Sequence, residues 1–154
     1  MDSIDNSIKA TGVVTLQLFG QDGSLLKEHV VKNLVVTSGL GHIAARMSNT
    51  GTPTQMTHMA LGSSNTSPAA GDTALGAQLG SRAGLGVAGG TPSGASVAYT
   101  ATFGAGVATG AVVEAGIFNG STGGTMLCRT VFPVINKGAS DSLVVNWTVT
   151  ISQP

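Results

Sequence analysis

The chain has 154 residues, of which 42% are apolar and only 9% are charged, and its seven basic and seven acidic side chains cancel. This length suits one domain with a sizeable core, and the lack of net charge argues against nucleic acid or a membrane surface as a partner. A chain with so few charges is poorly soluble as a free monomer. We therefore expect further copies of itself or another protein to cover its surface.

Cysteine content and the N-terminus predict where the protein is made. Cys128 is the only cysteine, so no internal disulfide forms, which is typical of a reducing cytoplasm. Residues 1–10, MDSIDNSIKA, lack the basic start and apolar run of a signal peptide. No apolar stretch reaches the roughly 18 residues that span a bilayer. We expect cytoplasmic synthesis, with residues 1–10 forming an N-terminal arm before the folded domain.

Alternation of apolar and polar residues predicts a hairpin at the start of the domain. Residues 11–19, TGVVTLQLF, alternate with the period of a half-buried strand. The Asp22-Gly23 pair is a strong turn signal, and residues 25–31, LLKEHVV, form the partner strand.

A change of period after this hairpin predicts one helix. Leu40, Ile43, Ala44 and Met47 recur at helical spacing, so we expect a short helix near residues 38–48. It is the only well-defined helix that the sequence predicts, and we expect it to lie across one end or face of the sheets.

The stretch from about 62 to 94 is rich in Gly, Ser and Ala, and Pro68 and Pro92 interrupt it. It predicts a long loop in which Asp72 caps at most one helical turn, at residues 72–75. A structureless stretch of this length inside a compact domain is commonly functional.

Further strands follow from the same alternation, at residues 55–62, 96–103, 111–118, 125–132 and 142–151. Seven or eight strands with turns at short intervals predict a mainly all-β fold. We expect residues 11–154 to form a single antiparallel β-sandwich that resembles a jelly roll, with the long loop and the one helix as its exceptions.

Motifs for catalysis are nearly absent. Gly84, Gly86 and Gly89 match G-x-G-x-x-G, but the strand and helix that must flank a dinucleotide loop are not predicted. The histidines lack a second ligand at metal-binding spacing. We therefore predict no catalytic residue, no cofactor and no metal, and expect that the chain is not an enzyme.

Glu114 interrupts the apolar strand at residues 111–118, which makes a half-buried carboxylate. Such a group needs an ionic or hydrogen-bonding partner, and Arg82 and Arg129 are the natural candidates. We predict a structural ion pair between Glu114 and one of these arginines that pins a loop to the sheet. The alternative is a catalytic general acid.

Three segments, taken in order, resemble small virion proteins of tailed bacteriophages. They are KNLVVTSGLGHIAARM, MTHMALGSSNTSPAAGDTALGAQLGSR and ATFGAGVATGAVVEAGIFNGSTGGTMLCRTVFPVINKGASDSLVVNWTVTI. The likeness spans roughly residues 30–151, and similar segments occur in tail-associated proteins and in capsid decoration, or cement, proteins. The resemblance implies a structural role and supplies no catalytic residue.

The small size of the chain, 15.2 kDa, favours a decoration protein within this group. We expect it on the capsid exterior, bound to the major capsid protein and to itself as a dimer or trimer. One alternative is a tail, collar or baseplate protein. Another is a module that binds host glycans, which requires exposed aromatic side chains, whereas the aromatic residues here fall in predicted core positions.

Contacts with neighbours are expected from the arm and from the start of the long loop. Small residues allow close approach of backbones, and prolines reduce the entropy lost when a loop is ordered. The expected interface residues are Met1, Asp2, Ser3, Ile4, Asp5, Asn6, Ser7, Ile8, Ser64, Asn65, Thr66 and Pro68.

Overall fold

A computed structural model describes residues 4–48 and 53–154. Within these ranges the chain forms ten strands and one helix. In chain order they are β1 (Lys9–Phe19), β2 (Leu25–Lys32), β3 (Leu34–Val35), α1 (Thr37–Ser48), β4 (His58–Gly62), β5 (Ala83–Gly84), β6 (Thr91–Ser93), β7 (Ser96–Phe103), β8 (Gly110–Phe118), β9 (Met126–Lys137) and β10 (Ser142–Ser152).

The strands form two five-stranded sheets. Sheet A has the order β2-β1-β10-β7-β6, and sheet B has the order β3-β9-β8-β4-β5. All strand pairs in the described part of the chain are antiparallel. The expected antiparallel all-β sandwich with one short helix is confirmed.

Alternating apolar residues of sheet A build one half of the core. Val14, Leu16 and Leu18 of β1 are buried, while the residues between them face away from sheet B. Along β10, Trp147 is completely buried and its row continues in both directions. Because side chains alternate across a strand, each of these strands has one core face and one outer face.

Sheet B is buried on both faces, in contrast to sheet A. Five consecutive residues of β8, from Glu114 to Phe118, are buried. A second apolar cluster packs on the outer side of this sheet, where Leu75 contacts it from the long loop. We call residues 63–82 the covering segment, because they lie over the outer face of sheet B.

The expected loop at about 62–94 is more ordered than the sequence predicts. It contains the short strands β5 and β6, and isolated bridges join Gly62 to Gln78 and Leu85 to Ala101. Strands of two or three residues are too short for a periodic pattern to reveal them.

The prediction of a helical turn at residues 72–75 is wrong. The Asp72 N–H donates to the Ala69 carbonyl at 3.0 Å, and the Asp72 carboxylate accepts from the Ala69 N–H at 2.9 Å. This tight turn uses the groups that would otherwise start a helix. The arm is also shorter than expected, since β1 begins at Lys9.

Two glycines of α1 provide a matched test of how the helix packs. A Cβ atom on Gly39 would contact the backbone of Leu127 in β9, whereas a Cβ atom on Gly41 would meet nothing within 4 Å. We expect Gly41→Ala to raise the free energy of unfolding by about 1 kcal/mol, because alanine is the better helix former. Gly39→Ala is expected to lower it by about 1–3 kcal/mol through overpacking.

Urea unfolding of both variants beside the unmodified chain measures these changes. Equal stabilisation by the two substitutions would contradict the close contact between α1 and β9.

Candidate protein interaction surfaces

A buried carboxylate holds the covering segment on sheet B. The Glu114 side chain is completely buried. One of its oxygens, Oε1, accepts the backbone N–H groups of Ala77 at 2.8 Å and Ser64 at 3.2 Å, and the other, Oε2, accepts the N–H of Gly76 at 3.0 Å. Three backbone donors from two parts of the covering segment therefore converge on one side chain of β8.

Arg129 completes this cluster from the neighbouring strand. Its Nη2 and Nε atoms lie 2.8 and 3.0 Å from Glu114 Oε2. Nη2 also donates to the Thr66 carbonyl at 2.9 Å, and Nη1 donates to Asp72 Oδ2 at 3.1 Å. We call Glu114, Arg129 and Asp72 the buried ionic cluster, and it ties two strands to the covering segment.

Strand register explains why these two side chains meet. Gly116 of β8 lies opposite Arg129 of β9, so Arg129 is the diagonal neighbour of Glu114 on the same face. Gly116 has no side chain, which leaves the space above it to Leu75 of the covering segment and to the Phe118 ring. A Cβ atom on Gly116 would lie only 3.0 Å from Leu75 Cδ2.

Arg82, the other candidate partner of Glu114, serves a different contact. Its guanidinium carbon lies 3.6 Å from the centre of the Phe118 ring. Nη1 donates to the carbonyls of Gly120 and Gly123, each at 2.8 Å. The ion pair thus uses Arg129, while Arg82 joins the end of the covering segment to the β8–β9 turn.

The expected interface residues occupy two separate places. Asn65 and Thr66 are exposed and Ser64 and Pro68 are half-buried, all in the covering segment outside sheet B. The arm residues that the structure describes, Ile4, Asp5, Asn6, Ser7 and Ile8, are exposed and precede β1 of sheet A. Met1, Asp2 and Ser3 lie outside the described residues. No hydrogen bond within residues 4–48 and 53–154 joins the arm to the covering segment.

The outer face of sheet A forms a broad surface that the sequence analysis did not single out. We call it the open face, and strand register places on it Glu28, Val30, Lys32, Val13, Thr15, Gln17, Val144, Asn146, Thr148, Ala98, Thr100 and Thr102. Two adjacent inner strands of this sheet, β10 and β7, contribute no charged side chain to the open face. The sequence feature that could have revealed the open face is the lack of charged residues at the outward-facing positions of these predicted strands.

Polar groups on the open face are partly satisfied by each other. The Thr100 hydroxyl donates to Asn146 Oδ1 at 3.0 Å. Ser96 and Thr150, a further pair along β7 and β10 on this face, share a hydrogen bond of 2.7 Å. Polar groups that already have partners lose less when water is removed. The open face therefore combines methyl groups with internally bonded hydroxyl groups, a composition suited to burial against another protein.

A cavity of about 250 Å³ lies between α1 and the ends of the two sheets. Its polar lining consists of His42, Arg46, Gln55 and Tyr99, and it contains no carboxylate. Burial, and then the charge of Arg46, lower the pKa of His42. Among the described residues no group of three or more His, Cys, Asp or Glu is placed to hold a metal ion.

Comparisons with protein-family models, with curated proteins and with solved structures find no match to this chain. Within the described ranges, no helix has the length and apolar character needed to cross a membrane.

Removal of the guanidinium from the buried ionic cluster is expected to be costly. Arg129→Met leaves the Glu114 carboxylate buried without its ionic partner, and loss of one member of such a pair costs about 3–5 kcal/mol. Urea unfolding measures this loss, and Arg46→Met is the matched control, since Arg46 is exposed. Hydrogen exchange should also become faster at the Gly76 and Ala77 amides. A loss no larger than that of the control would refute the role of the cluster.

Tyr99 provides a pH-dependent test of the core. Burial, with a contribution from Cys128, raises its pKa to about 12, whereas an unfolded tyrosine ionises near 10. Between about pH 10 and 12 the unfolded state binds fewer protons, so this residue lowers the free energy of unfolding as pH rises. Because Tyr99 is the only tyrosine, tyrosinate absorbance should show a midpoint near 12 when folded and near 10 in urea. Equal midpoints would contradict its burial.

Proposed function

We propose that this chain is a bacteriophage virion structural protein, a capsid decoration protein that binds the major capsid protein on the outside of the shell. The observation that carries this proposal is the open face, a sheet surface whose strands β10 and β7 present no charged side chain. A surface of this kind has no charged group to desolvate on those two strands, so it is suited to burial against a neighbour.

The position of the buried ionic cluster supports the same proposal. The three residues of this cluster, and Arg82 outside it, all lie in the sequence segments that resemble small phage virion proteins. In the structure these four residues fix the covering segment and the adjacent turn. The segments that carry the resemblance therefore also contain the residues that hold a glycine-rich surface in place.

The proposed mechanism is mechanical and uses two preformed surfaces. A stable interface buries about 800 Å² on each partner, roughly a tenth of the 7850 Å² surface of this chain. The open face and the covering segment lie on opposite sides of the sandwich, so one copy has room for more than one neighbour. Because hydrogen bonds already fix the covering segment, little further ordering entropy opposes binding.

The alternatives are less well supported by side-chain placement. A glycan-binding module needs several exposed aromatic rings, but five of the six aromatic residues are buried and the sixth, Phe19, is half-buried. A tail, collar or baseplate protein would use similar surfaces, and the copy number in the virion distinguishes it.

Quantitative mass spectrometry of the virion measures this copy number. A decoration protein should have a copy number comparable to that of the major capsid protein, whereas a tail component should have a small fraction of it.

A charge placed on the open face is expected to weaken capsid binding. Purified chain should co-sediment with shells of the major capsid protein from the same phage. Thr148→Glu buries an unpaired carboxylate at the interface, so occupancy should require at least about tenfold more protein. Thr122→Glu, in the exposed β8–β9 turn, is the control and should bind normally. Failure of the unmodified chain to co-sediment, or equal binding by Thr148→Glu, would refute the proposed capsid contact.

A further inference from the structure

The exposed edges of the two sheets are very unequal. Three of the four edge strands, β3, β5 and β6, have only two or three residues. The fourth, β2, has eight residues and no proline. Folded proteins usually shorten, bend or cover such edges, because an open edge pairs readily with another strand. In the described part of the chain, β2 is therefore the one long edge strand whose outer side pairs with no other strand, and its hydrogen bonds to β9 of sheet B come only from the Lys27 and Thr130 side chains.

Backbone hydrogen bonds show which residues of β2 face outwards. The Asn33 N–H donates to the Gly12 carbonyl of β1 at 3.3 Å, while the neighbouring Lys32 carbonyl accepts from the Thr130 hydroxyl at 2.7 Å. Alternate residues of an antiparallel strand direct their backbone groups to opposite sides. Glu28 and Val30 consequently direct their backbone groups away from β1, in the same direction as Lys32.

The side chains at this edge carry a self-complementary pattern. Glu28, Val30 and Lys32 pair with Gln17, Thr15 and Val13, so all three lie on the open face. Val30 is 62% exposed. The order along the edge is thus acid, apolar residue and base, with equal spacing.

Symmetry restricts how two such edges pair. When a twofold axis is perpendicular to a continuous sheet, each residue faces one that points to the same side. An axis at Val30 places Val30 against its own copy, and sets each Glu28 opposite Lys32 of the second copy. An axis at Glu28 would instead place two carboxylates together, which is destabilising. An axis at His29 would leave both charges opposite apolar residues.

We propose that two copies of the chain pair antiparallel through β2, with the twofold axis at Val30. This inference extends the proposed function, because it gives the self-association expected from the sequence a surface, a register and a dimeric state. Sheet A then continues into a ten-stranded sheet, and the two open faces become one continuous surface. The Lys32 carbonyl, which accepts one bond from Thr130, has a second lone pair for the Glu28 N–H of the other copy.

Charge reversal tests the register directly. Glu28→Lys alone sets lysine against lysine twice, and Lys32→Glu alone sets glutamate against glutamate twice. Sedimentation equilibrium of the full-length protein should show a dimer for the unmodified chain. For each single variant the dissociation constant of the dimer should be at least about fivefold larger. The double variant Glu28→Lys with Lys32→Glu restores opposite charges and should return to within about twofold of the unmodified value.

Two further variants separate edge pairing from general effects. Val30→Pro removes the N–H donor at the axis and should give a monomer. Lys9→Glu changes an exposed charge on β1, away from the edge, and should leave the dimer unchanged. A monomeric unmodified chain, single reversals without effect, or a double variant that stays dissociated would each overturn the proposal.

The capsid contact and the dimer are distinguishable in these experiments. Thr148→Glu changes the open face on β10 but not the β2 edge, so this variant should lose shell binding and keep the dimer. A dimer that forms although no shell is bound would refute the capsid function alone. Shell binding by a chain that is monomeric in solution would refute the dimer alone.

Discussion

The buried ion pair between Glu114 and Arg129 is the constraint on which the covering segment depends. Charges in a protein interior cost several kcal/mol each unless they are paired and hydrogen-bonded. Glu114 meets this requirement with three backbone N–H donors and two guanidinium nitrogens. A segment rich in Gly, Ser and Ala buries too little apolar surface to fold down by hydrophobic contact alone. Hydrogen bonds to the Glu114 carboxylate hold the covering segment on sheet B instead.

The same constraint makes the sandwich asymmetric. Sheet B has a core on its inner side and the covering segment on its outer side, whereas the outer side of sheet A is open. Among the few charged side chains, Glu114, Arg129 and Lys137 are buried, and Lys137 Nζ donates to the Gly104 carbonyl at 2.8 Å. The surface is consequently even poorer in charge than the composition suggests. This distribution is the physical basis for proposing that other subunits cover the chain.

The β2 edge and the open face belong to the same sheet, which connects the two proposals. Pairing through β2 enlarges the open face without using it, so a dimer would present twice the uncharged area to a capsid. The covering segment lies on the other side and stays accessible in such a dimer. Its exposed residues, among them Asn65 and Thr66, are then free for a different neighbour.

Local sequence patterns were sufficient to predict the long strands, the presence of the helix and the core face of the strands. Val14, Leu16 and Leu18 recur every second residue, and α1 follows the period of a helix. These patterns did not predict how the helix packs, since Leu40 and Met47 of its periodic apolar row are exposed. The charge within an apolar strand also indicated that Glu114 needs a partner. The tertiary structure alone decided that Arg129 is this partner, because a β8–β9 register brings the two side chains together. It also decided which strand lies at a sheet edge and which face stays open, since both follow from pairing between residues far apart in the chain.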